Sequence, residues 1–215
     1  MNYKVSVIIP MYNVQDSLKT NIKSVVNQTI GFENIELILV NNKSSDNFRN
    51  IINSYSDKYD NIKPIFLKEN SGIPAKPRNI GIDNVTAPYL IFIDSDDEII
   101  PDYYETLYNA IEKEKADIAH CGHFTKLDGI YTCFKQEPKV DDSVLLRLTM
   151  WGVIFSTELI KKHDIKCPLT LAQDVVFAIK AFTQANKIVQ LPNYRGYIYT
   201  AENYSSVTHK VSKIL

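Results

Sequence analysis

The chain has 215 residues, 45% of them hydrophobic, and a formal net charge of −1. That length and apolar share suit one large domain with a sizeable core. The near-zero charge leaves no electrostatic footprint for nucleic acid or an anionic membrane.

The first hundred or so residues alternate strand and helix patterns. Val5 to Ile9 predicts an apolar strand that Pro10 closes, and Val14, Leu18, Ile22, Val25 and Val26 follow at helical spacing. Glu36 to Val40 predicts a second strand. Phe48, Ile51, Ile52, Tyr55 and Tyr59 predict an amphipathic helix, with Ser45 or Asp46 as its cap. Ile62 to Leu67 is the third strand, a Gly/Pro-interrupted loop from Asn70 to Pro77 enters a short helix through Ile80, and Tyr89 to Ile93 is the fourth strand. Near-continuous apolar strands separated by helices imply an α/β fold with a mostly parallel central sheet covered on both faces.

Beyond residue 100 the pattern becomes mixed. Tyr104, Leu107, Tyr108 and Ile111 mark a helix, Ile118 to Phe124 and Gly129 to Phe134 read as strands, and Val144 to Leu148 as a helix. Val153 to Phe155 is apolar, Thr157 to His163 helical, and Val175, Val176, Ile179 and Phe182 give a helix that starts at Gln173 and Asp174. Ile188 to Leu191 and Tyr194 to Tyr199 read as two strands. No repeat or linker divides the chain, so residues 1–215 are expected to form one domain, with halves at about 1–100 and 101–215.

His120-Cys121-Gly122-His123 has the composition of a metal site, but strand alternation splits it between two faces. The cysteines Cys121, Cys133 and Cys167 are odd in number and form no Cys-x-x-Cys pair, which disfavours a disulfide framework or zinc. The N-terminus enters a strand without a signal peptide, and no apolar run approaches the roughly 20 residues of a membrane span. The expected location is the cytoplasm, with at most peripheral membrane contact.

The sharpest local signal is Asp94-Ser95-Asp96, directly behind the apolar strand Tyr89 to Ile93. Residues two apart in an extended segment point the same way, so two carboxylates would share one side. A hard divalent cation that shares its shell with substrate phosphates relieves their repulsion; an ordinary acidic loop is the alternative. Pro10, Asn41-Asn42 and Asp94-Asp96 each follow the carboxyl end of a strand, where open α/β sheets bind ligands. The glycine-rich dinucleotide and P-loop fingerprints are absent.

These segments resemble family 2 glycosyltransferases of the GT-A fold. Val5 to Asn13 is similar to the family's opening, Ser24 to Thr29 to its first-helix ending, Phe92 to Asp97 to its DxD segment, and Ala172 to Phe177 to its Glu-Asp-x-x-Phe motif. Asn70 to Asn79 is similar to members that add N-acetylglucosamine to wall teichoic acid, and to capsule and polysaccharide transferases. The resemblance implies a nucleotide-binding half and an acceptor-binding half. It also implies inverting, metal-dependent transfer from a nucleotide sugar, usually a UDP-sugar, to a hydroxyl of a saccharide or glycopolymer.

On that resemblance Pro10 and Tyr12 line the base pocket, and Asn41 takes the place of an acidic base contact. Asn70 and Arg78 approach the ribose and diphosphate, Asp94 and Ser95 join the donor site, and Asp96 holds Mn2+ or Mg2+. Asp174 is the expected general base. Gln173 stands where the family has a glutamate, and with Trp151 it is expected on the acceptor side. Arg195, Ser205, Ser206 and His209 are further candidates for closing over the diphosphate. The neutral amides at Asn41 and Gln173 leave a degenerate nucleotide-sugar-binding module as the alternative. A nucleotidylyltransferase would want a glycine-rich, basic loop where Met11-Tyr12-Asn13 stands.

Overall fold

The structure, a computed structural model, describes residues 2–134 and 149–201. The expected helix at 144–148 and the candidates Ser205, Ser206 and His209 lie outside the described residues. Four strands, β1 (Val5–Met11), β2 (Ile35–Asn41), β3 (Ile62–Phe66) and β4 (Tyr89–Phe92), alternate with helices α1 (Gln15–Val26), α2 (Phe48–Ser56) and α3 (Ala75–Asp83). After them come β5 (Glu98–Ile99), α4 (Tyr103–Glu114), β6 (Ile118–Leu127), β7 (Ile130–Phe134), β8 (Val153–Ser156), α5 (Thr157–Lys162), α6 (Gln173–Gln184) and β9 (Ile188–Thr200).

The nine strands of the described residues join one sheet in the order β3-β2-β1-β4-β8-β6-β9-β5, with β7 paired to β6. The first four strands are parallel. β8 runs antiparallel to both β4 and β6, and β9 returns parallel to β6. The first half is therefore the parallel sheet that its apolar runs predict, and the second half is mixed.

Strand alternation sorts the core onto two faces. Val7, Ile9, Leu37, Leu39 and Ile91 face α1, α2 and α4, whereas Ile8, Ile38, Val40, Leu90 and Phe92 face α3, α5 and α6. Gly81 of α3 lets that helix lie directly on β1, since a Cβ there would come within 2.3 Å of Ile8. Phe177 of α6 meets Phe92 and Phe155 edge-on at ring separations of 5.4 and 5.5 Å. Burying such a ring contributes about 1.5–3 kcal/mol. It also fixes the first turn of α6, where Asp174 sits three residues earlier.

The structure departs from the sequence reading in several places. β1 continues through Pro10 to Met11. Ile8 accepts a bond from the Ile93 N–H on the β4 side, and Pro10 points the same way by alternation. β4 ends at Phe92, so the amide hydrogen that Pro10 lacks is not needed for the ladder. Neither Ser45 nor Asp46 caps α2; its first flanking residue is Asn47, with no side-chain cap. Asp46 instead accepts the Gln15 N–H at the start of α1, at 2.8 Å. The two expected strands near the end are one strand, β9, with register shifts against β6 around Gly122. Finally, β5 is too short to leave a periodic signal.

Candidate active site

The parallel strands place the ends of β1, β2 and β4 side by side, and the residues beyond them form the site. The acidic turn after β4 is held from below by α1. Ser17 Oγ donates to the Ser95 carbonyl at 3.0 Å, and Asn21 Nδ2 donates to the carbonyls of Asp94 and Asp97 at 3.1 and 2.8 Å. These bonds consume main-chain acceptors and leave the Asp94 and Asp96 side chains half-buried at the surface. Ser95 is itself buried.

Asp97 points inward. Its carboxylate accepts from Tyr197 Oη at 2.6 Å and from the Thr200 N–H at 2.7 Å. Burial, then the charges of Asp94 and Asp96, push it well above the usual carboxylate range, against the pull of those two bonds. Sequence reading treated Asp97 only as the tail of the acidic motif and missed Ser17, Asn21 and Tyr197 altogether. The one sequence signal for the polar face of α1 was that Asn21 falls between the apolar positions Leu18 and Ile22 and Val25.

The neighbouring loops are tied to one another by short polar side chains. Asn13 accepts the Ser45 N–H at 2.9 Å and gives its own N–H to Ser44 Oγ at 3.0 Å. Asn41 is buried and closes its own turn, with Nδ2 donating to Ser44 Oγ at 2.6 Å and Oδ1 accepting the Ser44 N–H at 3.0 Å. Asn42 bridges to the next loop, donating to Asn70 Oδ1 at 3.1 Å and accepting the Ser71 N–H at 3.0 Å. Asn70 also accepts the Gly72 N–H at 2.6 Å, with Gly72 in the left-handed region at φ 76°. The loops beyond β1, β2 and β3 are thus cross-tied by polar side chains. Pro10 is buried near the end of β1, and Tyr12 beyond it is 50% exposed.

Arg78 reaches the acidic turn from α3. It lies on the first turns of α3, 4% exposed, and its guanidinium forms an ion pair with Asp94. Burial works against its charge, but Asp94 first, and then Cys167 and Asp174, hold its pKa above the ordinary value. The same set acts on Cys167, whose thiol burial pushes up to about 12. Asp94, Arg78, Cys167 and Asp174 therefore share one electrostatic neighbourhood, although they come from β4, α3, the loop before α6 and α6. Asn79 fixes that loop, exchanging 2.8 Å bonds with the main-chain N–H and carbonyl of Cys167.

Among the described residues, Arg78 Nε, Gln173 Oε1 and Asn21 Oδ1 near this site are buried without a hydrogen-bond partner. Buried polar groups are nearly always satisfied. The donor on Arg78 beside Asp94 and the acceptor on Gln173 beside Asp174 are groups that a polar ligand could engage.

Trp151 lies elsewhere in the second half. It stacks on Tyr197 at 4.8 Å and 15° and on Tyr199 at 5.7 Å and 10°, with His123 edge-on at 4.8 Å. His120 faces Phe182 of α6 and is buried enough that its pKa falls to about 4. The two histidines diverge as alternation predicts, and no group of three or more metal-ligating side chains occurs among the described residues. Arg195 lies half-buried on β9, with a bond to the Asn193 carbonyl at 3.4 Å.

A divalent cation fits the acidic turn on donor chemistry. Asp96 offers a half-buried hard oxygen beside the half-buried Asp94. One or two carboxylates without a full protein cage match magnesium-like sites that take their remaining oxygens from substrate phosphates and water.

Comparison with known proteins agrees with this geometry. Residues 6–168 match the family model described as Glycosyl transferase family 2. The poly(ribitol-phosphate) beta-glucosyltransferase of Bacillus spizizenii is 35% identical over 205 residues, covering 90% of this chain and 32% of that protein. The cholesterol galactosyltransferase of Borreliella burgdorferi is 30% identical over 216 residues, covering 89% of this chain and 59% of that protein. The crystal structure of S. aureus TarS 1–349 in complex with UDP-GlcNAc superposes with a TM-score of 0.84 at 27% identity, over 95% of this chain and 61% of that chain. The chain thus spans less than two thirds of each of these proteins. The superposition bears out the α/β expectation, including its GT-A form. Among the described residues no helix is long and apolar enough to cross a membrane.

Proposed function

Because the chain belongs to glycosyl transferase family 2, we propose that residues 1–215 act as one catalytic unit. It transfers a sugar from a UDP-sugar to a hydroxyl of a glycopolymer, with inversion and with a divalent cation. The observation that carries this reading is the convergence of Asp94, Arg78 and Asp174 beyond the strand ends, with buried atoms on Arg78 and Gln173 that have no partner among the described residues. The nucleotide named in the solved relative, UDP-GlcNAc, and the polyol-phosphate polymer named for the Bacillus relative supply the donor and acceptor classes.

In this mechanism the loops beyond the strand ends bind the nucleoside. Tyr12 stacks on the base, Pro10 and Asn41 shape the base pocket, and Asn70 holds the loop beside the ribose. Ser95 and Asp94 complete the donor wall. Arg78, kept cationic by Asp94, directs its remaining donors toward the diphosphate. Asp96 would hold Mn2+ or Mg2+, which when bound supplies positive charge to the departing diphosphate.

Asp174 takes the proton of the acceptor hydroxyl. The acceptor oxygen forms the new bond to the anomeric carbon on the face opposite the nucleotide. The bond from that carbon to the diphosphate oxygen breaks, and its electron pair leaves with UDP. Gln173, next to the base, positions the acceptor through its Oε1. UDP-sugars of this kind are α-linked, so inversion gives the β-configuration that the Bacillus relative's name records.

The test is product analysis with UDP-glucose or UDP-N-acetylglucosamine, Mn2+, and a panel holding poly(ribitol phosphate) and a sterol. The expected result is a β-linked product on the polymer. The neutral amides at Asn41 and Gln173 favour one competing reading, a binding module without turnover. UDP binding with no product on any acceptor would establish that reading instead.

A further inference from the structure

The acidic turn is held from above as well as from α1. Tyr197 Oη donates to Asp97 Oδ2 at 2.6 Å and accepts the Asp94 N–H at 3.2 Å. The Thr200 N–H takes the other oxygen of Asp97. Asp97 is 1% and Tyr197 0% exposed, so neither can touch a ligand at the surface. Any effect they have must pass through Asp94 and Asp96.

The position of the Tyr197 hydroxyl is set by its ring, and the ring is braced. Trp151 stacks on it, and Tyr103 meets it edge-on at 6.2 Å. The preceding Gly196 is needed for that packing, because a Cβ there would lie 2.3 Å from the Tyr103 ring. Trp151 also stacks on Tyr199, whose phenol feels the charges of Asp97, Asp96 and Asp94. β9 therefore reaches the acidic turn through the Tyr197 hydroxyl and the Thr200 main-chain amide, and the Tyr197 ring is stacked on the indole.

Resting on the donor-site reading above, the geometry points to Tyr197, Asp97 and Trp151 as positioning residues that hold the Asp94–Asp96 turn for diphosphate binding. Trp151 thereby serves the donor side through Tyr197, although its place in the sequence suggests a platform for the acceptor sugar. Removing one partner of a buried hydrogen bond leaves the other unsatisfied, and here both the Asp97 carboxyl and the Asp94 N–H lose theirs. Losing the Tyr197 hydroxyl should therefore weaken donor binding by roughly tenfold to a hundredfold.

Trp151 is the only tryptophan, so its emission is an internal probe. UDP titrated at saturating Mn2+ should change that emission saturably in the wild-type chain. Tyr197→Phe keeps the ring and should raise the UDP Kd about tenfold or more, and raise the Mn2+ concentration needed. Tyr194→Phe is the control on the same strand. Its hydroxyl bonds to Asp102 at 2.9 Å, so its Kd should stay within about twofold. If Tyr197→Phe does not fold, Asp97→Asn keeps the shape of the carboxyl and should also raise the Kd.

Trp151→Phe, followed by calorimetry and by kinetics, should raise the UDP Kd and leave the acceptor KM unchanged. An unchanged UDP Kd in both Tyr197→Phe and Asp97→Asn overturns the inference, as does a Trp151→Phe effect confined to acceptor KM. If the wild-type chain binds no UDP, the donor-site reading fails and this inference fails with it. If the wild type binds and the variants match it, only this inference fails.

Discussion

At the amino ends of β1, β2 and β3, Glu36 is completely buried and both its oxygens are fully engaged. Ser6 and the Thr86 N–H bond one oxygen, and Lys63 and Thr86 Oγ1 bond the other. At the carboxyl ends, Arg78 is almost as deeply buried, yet its Nε has no partner among the described residues and Asp94, with which it pairs, is half-buried. Both ends bury a charge, which is costly unless that charge is paired and hydrogen-bonded. The amino end meets the requirement within the chain and so acts as a knot between three strands and the loop before β4. Among the described residues the carboxyl end leaves it incomplete, and that incompleteness is what a polar ligand can exploit.

If that division holds, changes at one end should alter chemistry and changes at the other should alter stability. The largest effect is expected for Asp174→Asn. Transfer should fall at least about 10²-fold in a steady-state assay, with UDP binding unchanged. Normal turnover would remove Asp174 as the base. Asp96→Ala should come next. It should abolish the Mn2+ dependence of UDP binding in calorimetry while leaving the melting temperature near wild type.

Glu36→Ala tests the opposite end. Lys63 is 40% exposed, so the loss is chiefly that of the buried hydrogen bonds to Ser6 and Thr86, about 1–3 kcal/mol. For a chain of this size the melting temperature should drop by roughly 5 °C, with the UDP Kd of the folded protein unchanged. The pH dependence has a definite sign. Burial alone would raise the Glu36 pKa, but Lys63, Ser6 and Thr86 outweigh it and hold it below 4.5. Its contribution is therefore present in full above the ordinary carboxylate range and is lost as pH falls through the depressed value. Calorimetric melting from neutral to acidic pH should show a shallower decline in Glu36→Gln than in wild type. The smallest effect is expected for Tyr12→Ala. Loss of base stacking, about 1–3 kcal/mol, should weaken UDP binding about tenfold without moving the melting temperature, because Tyr12 is half exposed.

The parallel half was legible because its physics is local. Each strand is an apolar run and each helix an apolar stripe, and the polar residues that follow the strands stand out against them. The same contrast marked Asp94, Asp96 and Asn41 and the turn at Asn70. It could not assign Asp46, whose carboxylate serves the helix across the crevice and not the one that follows it. Asn42 was marked together with Asn41, whereas Asn13 carried a weak signal that was not used, since a polar amide recurs just past the ends of β1, β2 and β3.

The mixed half was less legible because its contacts depend on register between distant segments. Tyr197 reaches Asp97 only because β9 shifts against β6 at Gly122. No local pattern encodes that shift. Read in isolation, Trp151 was equally consistent with a ligand platform or a packed ring. Its stacking on Tyr197 and Tyr199 came from strand order, which sequence periodicity does not contain.

The most direct measurement is a calorimetric titration of UDP into the wild-type chain, with and without Mn2+. Saturable binding that needs the cation is predicted if the strand-end loops and the acidic turn together form the donor site. No binding in either condition would contradict it and would leave Arg78 Nε and Gln173 Oε1 without a ligand to engage.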